Sequence, residues 1–533
     1  MSSDPSFSRS QLLSVIAHAR AGALDRAWAM YTAMESPDLD RDPAALAVKA
    51  RLLKDRALRA GGEDRQRLYA EAAQAYRRAA ELGDATYPLI NAATLSLLGG
   101  DEVASRALAT EVLERIDHNP DEPETPYYRA ATRAEALLLL GGEEEARSAL
   151  AEAIALAPSA WEDHASTLRQ FAIILASQSR DPAWLDAHRP PRSLHFGGHM
   201  AFRAQPGPTP LSHEVAAILE AERVGFGYGA LAAGADIIVA EALIDRGAAL
   251  HVILPAGVEE FASVSVDPHG TEWRRRFDSM LAAAETVRTV EPTQSPPDEA
   301  MIALADEIAM GTALINARLL ASEGVQLLIL ADSEAEPESA SARSREAWAQ
   351  VGRQRIVSAP RDDIGVLLKT VPPTIHHRAA VLAIHPNSLQ EEGLGGQLRM
   401  IKTGLDQFPM PEFPPSFTGQ AVVLAYADIA QAAKVAAMLA EEGASVGGDY
   451  GIVDSVEDPF ARALHPIGRS ADLAHAAATS APSGTACITG DFAAALAVAA
   501  PGQFRSEHVG ELAASTGGEP ISLLALKTAG TVL

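Results

Sequence analysis

At His188-Arg189-Pro190-Pro191-Arg192 the hydrophobic period of the chain changes, and one core cannot serve both sides of that break. Upstream, from Ser10 to about Asp186, apolar residues recur at helical spacing. Short Gly or Asp/Pro punctuation, such as Gly99-Gly100-Asp101 and Gly141-Gly142, separates one helix from the next. Downstream, strand-like runs alternate with helical ones. Two adjacent prolines neither continue a helix nor let the preceding residue stay helical, so the break is a domain boundary. A chain of 533 residues independently implies about three or four domains.

Within the helical part, the run from Tyr127 to Pro158 is the clearest unit. Ala134, Leu137, Ala146, Leu150 and Ala153 lie around the turn at Gly141-Gly142, and Pro158 follows. That order resembles a tetratricopeptide repeat, in which small residues let two antiparallel helices approach and a proline closes the second. Ala27 and Tyr31 after Gly22 fit a second, looser copy, and Tyr87 to Glu114 a third. A generic helical bundle is the plain alternative. The resemblance implies a protein-binding surface over residues 1–187.

The middle region opens with a strand-like run, Ser193 to Phe196, ending in Gly197-Gly198. Helical spacing follows from Ser212 to Val224, then Gly225-Phe226-Gly227-Tyr228-Gly229 reads as a turn. A second helix spans Ala233 to Gly247 and an apolar strand Ala249 to Leu254. Strand, glycine turn, helix, strand is the grammar of a βαβ unit in a parallel sheet. A later helix, Glu299 to Ala321, leads into a buried strand, Val325 to Leu330. The acidic, Ser-rich tract from Glu334 to Arg345 reads as a solvated loop. The passage from His195-Phe196-Gly197-Gly198-His199-Met200 through Gly234-Ala235-Asp236 to Leu250-His251-Val252-Ile253-Leu254-Pro255, continued by Phe261, Trp273 and Phe277, resembles the SLOG superfamily of Rossmann-like nucleotide sensors. The resemblance implies an α/β domain over 193–365. In it Gly197, Gly198, Tyr228, Gly229, Gly234, Asp236 and Asp332 would line a nucleotide pocket at the C-terminal ends of the strands. The competing reading is that the glycines serve only tight strand–helix packing. Glu241 is either a hydrolytic carboxylate or an arginine partner. His195 with His199, and His376 with His377, offer no three converging ligands, so no histidine metal site is expected.

After Val371-Pro372-Pro373, strand runs (Ala379 to Ile384, Ala421 to Tyr426, Ala486 to Thr489, Ile521 to Leu526) alternate with helical ones (Ile429 to Glu442, Ser470 to Thr479), which reads as α+β. The connector Pro409-Met410-Pro411-Glu412-Phe413-Pro414-Pro415 is not helical. Phe417-Thr418-Gly419-Gln420, Gly447-Gly448-Asp449-Tyr450-Gly451, Pro482-Ser483-Gly484-Thr485 and Phe504-Arg505-Ser506-Glu507-His508 resemble, in that order, a class III adenylate/guanylate cyclase domain of ferredoxin-like fold, here over 376–533. Helical repeats, SLOG and cyclase in one chain are similar to bacterial multidomain proteins. In the cyclase family two aspartates hold divalent ions that activate the ribose hydroxyl and neutralise the triphosphate. The matching positions here hold His385 and Gln420, poor substitutes for two hard carboxylates. The Asn and Arg that steady the transition state correspond to Asp472 and Ala476. Asp428 and Asp449 are the nearby carboxylates that would have to stand in.

Composition narrows the partners. A formal charge of −26 disfavours nucleic acid. A single cysteine, Cys487, excludes an internal disulfide and fits a reducing, cytoplasmic setting. A polar N-terminus and the lack of about 18 uninterrupted apolar residues predict neither secretion nor a membrane span. The expectation is a cytoplasmic, homodimeric signalling scaffold with no catalytic residues and no cofactor. It would combine a protein-binding repeat, a nucleotide sensor and a pseudo-cyclase. The alternatives are an active cyclase using displaced acids, which alone would need a divalent metal, and a nucleotide hydrolase centred on Glu241.

Overall fold

The computed structural model describes residues 9–34, 36–83, 85–118, 125–200, 202, 207, 209–331, 340–360, 376–386, 393–418, 421–458, 462–513 and 520–529. The chain forms two compact units, Met1–Pro190 with Leu319–Ala321, and Pro191–Arg318 with Ser322–Leu533.

The first unit is helical: α1 (Arg9–Arg20), α2 (Leu24–Thr32), α3 (Pro43–Arg59), α4 (Gly62–Glu81), α5 (Thr86–Leu98), α6 (Glu102–His118), α7 (Pro126–Leu140), α8 (Glu143–Leu156) and α9 (Trp161–Ser177). Successive helices pack as pairs because the facing positions are small: Ala134, Ala146 and Ala153 are fully buried, with Leu150 between them. Gly141, at φ 93°, closes α7. The N–H of Gly142 reaches Leu137 O at 3.0 Å and that of Gly141 reaches Leu138 O at 3.1 Å, a Schellman closure that a side chain at Gly141 would strain. The expected repeat turn is therefore present.

The second unit holds two sheets. The first is parallel: β1 (Arg192–Gly198), β2 (Val224–Gly229), β3 (Ala249–Leu254), β4 (Thr286–Thr289), β5 (Gly324–Ala331) and β6 (Arg353–Ala359), in the order β4-β3-β2-β1-β5-β6. On one face pack α10 (Pro210–Ala221), α11 (Ala235–Asp245), α12 (Val258–Ser265) and α13 (Thr271–Ala283). On the other lie α14 (Glu299–Leu319) and α15 (Ala340–Trp348). Two readings from sequence change here. Gly225 to Gly229 is not a turn but strand β2. Its glycines remove side chains where neighbours come too close: a Cβ at Gly227 would sit 2.2 Å from Leu243 of α11, and one at Gly229 would sit 2.7 Å from Phe196 O. The acidic tract, read as loop to Arg345, is helical from Ala340. Burial of Ser344 and Trp348 against β5 outweighs its weak local propensity.

The second sheet is mixed: β7 (His377–His385), β8 (Ser416–Thr418), β9 (Ala421–Tyr426), β10 (Ser445–Asp458), β11 (Ala463–Ile467), β12 (Thr485–Thr489), β13 (Phe504–Leu512) and β14 (Ile521–Thr528). Its order is β13-β14-β12-β10-β7-β9-β8, with β11 folding back on β10. Its helices are α16 (Leu394–Leu405), α17 (Ile429–Glu441), α18 (Arg469–Ser480) and α19 (Gly490–Ala499). Strand β7 is buried on both faces. Ala379, Val381 and Ala383 meet α18, while Ala380, Leu382 and Ile384 join a core with α17 and α19.

That second core does not stop at the mixed sheet. It runs on through Leu304, Ile308 and Met310 of α14 to Trp348 of α15 and to Tyr228 and Ile253 of the parallel sheet. Helix α14 is thus apolar around its circumference because it has a sheet on each side. Among the described residues it is the one helix long and apolar enough to cross a membrane by length and composition, and it is mostly buried inside this unit.

Candidate functional site

In the parallel sheet the chain runs from β1 outward to β4, then returns through α14 to β5. The crevice expected of an open α/β sheet therefore lies between the C-terminal ends of β1 and β5. Gly197, Gly198 and the N-terminus of α11 converge there. A Cβ at Gly198 would meet Ile329 O at 2.2 Å and Ala235 Cβ at 2.7 Å, so this glycine seats α11 directly on β5. Gly234, at φ 121°, brings the turn within reach of His199 O and the Phe202 ring.

Three N–H groups of that turn are answered by the protein itself. Ala232 N–H donates to Asp236 Oδ2 at 3.0 Å, Ala233 N–H to Ser265 O at 2.9 Å and Ala235 N–H to His199 O at 3.2 Å. Burial pushes the Asp236 carboxyl up to about 7, against the pull of the Ala232 N–H, and Asp306 adds to the rise. A ligand phosphate reaching this helix end meets His199, Met200 and Phe202, which pack on Gly234, and the buried Asp236 carboxyl. Asp332 lies outside the described residues.

Tyr228 does not join this group. Its ring enters the core on the α14 side of the sheet and stacks on His251 at 4.7 Å. Glu241 has the arginine partner: Arg276 Nε and Nη2 bind its two oxygens at 2.7 and 2.5 Å, and the same guanidinium lies 4.2 Å over Trp273. His195 is a satisfied core histidine. Its Nε2 faces Asp306 Oδ1 at 3.0 Å, and its Nδ1 accepts from Gln326 Nε2 at 3.1 Å.

The next residue of α14 turns to the other sheet. Glu307 pairs with Arg378 of β7 and accepts from Tyr450 Oη of β10 at 2.8 Å. Consecutive side chains on one helix thus hold β1 and the mixed sheet. No sequence motif marked Asp306 or Glu307; the clue was an apolar helix interrupted by adjacent acids.

At the cyclase-like positions, His385 ends β7 with its ring 5.2 Å from His475 and its Nε2 3.4 Å from Thr479 Oγ1 of α18. Burial first, then His475, hold it below the usual imidazole range, which leaves a neutral ring. Asp472 and Ala476 sit on the same helix, Asp472 exposed and Ala476 half-buried. Gln420 lies outside the described residues. The carboxylates that would have to stand in are engaged elsewhere. Asp428 caps α17, accepting from Ala430 N at 2.8 Å and Gln431 N at 3.2 Å. Asp449 is 2% exposed and accepts from Thr489 Oγ1 at 2.6 Å. Among the described residues no three His, Cys, Asp or Glu side chains are grouped to hold a metal ion.

Residues 2–96 match the family model described as Tetratricopeptide Repeats-Sensor. No curated protein matches the chain. Similar solved structures include adenylate cyclases from Trypanosoma brucei in their monomeric state, at 15% identity over 30% of this chain and 92% of that one, TM-score 0.25. The adenylyl cyclase CyaB from P. aeruginosa aligns at 12% identity over 30% of this chain and 97% of that one, TM-score 0.25. The guanylate cyclase domain of RhGC from Catenaria anguillulae aligns at 10% identity over 28% and 97%, TM-score 0.23.

Proposed function

We propose that this chain is a signalling scaffold without cyclase activity. Its tetratricopeptide-type helices dock a protein, its parallel sheet takes a nucleotide-derived ligand, and its mixed sheet serves as an interaction module. The observation that carries the non-catalytic part is the engagement of both displaced carboxylates, Asp428 in a helix cap and Asp449 in a buried hydrogen bond. Two-metal cyclisation needs carboxylates that converge on the divalent ions and are open to them. A histidine at position 385, with its neutral ring beside His475, does not replace them.

Incubating the full chain with ATP or GTP and Mn²⁺ is expected to give no cyclic product. Appearance of cyclic nucleotide would sink the reading in favour of an active cyclase. Release of free base or phosphate that is lost in Glu241→Ala would favour a hydrolase. For the sensing part, a thermal-shift series over nucleotides and nucleosides is expected to find one stabilising compound. At about a hundred times its dissociation constant such a ligand adds roughly 2.7 kcal/mol. Because the buried Asp236 carboxyl sits in the first turn of α11, compounds with fewer phosphates are expected to shift the transition more than triphosphates. A series with no shift at all removes the sensor.

A further inference from the structure

Where β4 leaves the parallel sheet it meets the mixed sheet, and five charged side chains gather at the contact. Arg288 and Glu291 come from β4 and the residues after it, Asp449 from β10, Arg469 from the first turn of α18 and Asp491 from the first turn of α19. Arg288 Nη2 contacts both oxygens of Asp491 at 2.5 Å. Arg469 Nη1 donates to Val290 O at 3.2 Å, and the Ile452 N–H donates to Glu291 Oε1 at 3.4 Å. Glu291, Asp449 and the Ser470 hydroxyl surround one point: a side chain at Gly451 would begin 2.3 Å from Ser470 Oγ, 3.5 Å from Glu291 Oε1 and 3.6 Å from Asp449 Oδ2, and Asp449 accepts from both Ser470 and Thr489.

Three carboxylates here face two guanidinium groups. Asp491 engages Arg288 through both oxygens, so Arg469, itself exposed, is left to answer both Glu291 and Asp449. With all five ionised the contact carries one surplus negative charge beside a carboxylate that is 2% exposed. Withdrawing an unpaired charge from water costs several kcal/mol, which a retained proton avoids.

We infer that this contact is a proton-dependent clasp: a proton retained on Glu291 or Asp449 keeps the end of β4 on β10, and its loss loosens the two sheets from each other. The electrostatics agree in direction. Burial is the largest cause for both groups and Asp491 adds to each, pushing Asp449 up to about 6 and Glu291 up to about 7. A carboxyl whose proton is held more tightly in the closed form than in the open one stabilises closure fully below its ordinary range, about 4. That stabilisation drains as pH rises and is gone above the closed-form value. The window is therefore about pH 4 to 7, with a plateau beyond.

Hydrogen–deuterium exchange on the full chain tests this directly. Samples are labelled at pH 5, 6, 7 and 8 at fixed ionic strength, and rates are corrected for intrinsic pH dependence. Opening of peptides covering β4 and β10 is expected to rise by up to about tenfold per unit from pH 5 to 7 and then level off, the slope one proton produces. Peptides of α5 to α8 are expected to stay flat. Glu291→Gln and Asp449→Asn each keep an acceptor oxygen but cannot ionise, and each is expected to flatten the slope. A flat wild-type profile between pH 5 and 7 overturns the clasp, as does a slope unchanged in both variants. If neither variant folds, the wild-type profile decides alone.

Discussion

Replacing Gly311 by alanine is expected to part the two sheets of the second unit and to lower its stability by about 3 kcal/mol, the upper part of the overpacking range. Gly311 lies where α14 crosses α19. A methyl group there would stand 1.9 Å from Ala494 O, 2.2 Å from its carbonyl carbon and 2.6 Å from its Cα. These are backbone atoms, so no rotamer change relieves the clash and one helix has to move. Helix α19 has little slack, because Ala493, Ala494, Ala495 and Ala497 are all buried and Phe492 is fully enclosed. The sign is what makes the test decisive, since glycine to alanine in an unhindered helix interior stabilises by up to about 1 kcal/mol. Gly395→Ala on α16 supplies the control. It is exposed, and its new methyl would meet nothing nearer than Arg399 Nη1 at 3.7 Å. Pulse proteolysis in urea should show Gly311→Ala cleaved at lower denaturant, with protection lost in β7, β10 and α19 and kept in α5 to α8. A Gly311→Ala protein as resistant as the wild type would mean that the two sheets do not share this crossing.

How far the sequence could lead depends on whether the deciding forces are local. The repeat turn at Gly141-Gly142 and the small residues Ala134, Ala146 and Ala153 were legible, because helix pairing and a Schellman closure are settled within one or two turns. Strands β5, β7, β9 and β14 were legible as apolar runs. Strand β2 was not. Glycine opposes a strand locally, and only the approach of Leu243 and Phe196 explains why three glycines stand there. The span of α14 was read within two residues at its end, yet its role was missed. An apolar face pointing in every direction requires a partner on every side, and only the second sheet supplies one. Of the candidate pocket, Gly197, Gly198, Gly234 and Asp236 do come together, while Tyr228 faces the other side of the sheet. Glu291, Asp449 and Asp491 were invisible as a group. They lie on three separate elements, and nothing in the pattern of one element points to the other two.

Glu222 carries the other large effect, and truncating it to alanine is expected to cost about 3 kcal/mol, the low end for breaking a buried ion pair. Its side chain is 2% exposed and faces three arginines. Arg192 Nη1 lies 3.3 Å from Oε2, Arg353 Nη1 3.2 Å from Oε2 and Arg355 Nε 2.7 Å from Oε1. Arg192 also donates to Glu222 O at 3.0 Å, so one acid at the end of α10 fastens the first residue of β1 and the start of β6. Without it, Arg192 and Arg353 keep Glu323 at 2.9 and 3.5 Å, Arg355 loses its carboxylate, and the three guanidinium groups are left around a gap. They are 24–48% exposed, and that access to water keeps the cost near 3 rather than 5 kcal/mol. Each arginine replaced singly should cost less than the acid, since the carboxylate keeps two partners. Glu222→Gln should fall between, keeping shape and an acceptor while losing the charge. Raising salt should narrow the gap between Glu222→Ala and wild type, because screening relieves the arginine repulsion in the variant more than it weakens the buried contacts in the parent. Measured by urea midpoints and by exchange in β1 and β6, an alanine variant no weaker than Arg353→Ala would show that the carboxylate is not what gathers the three arginines.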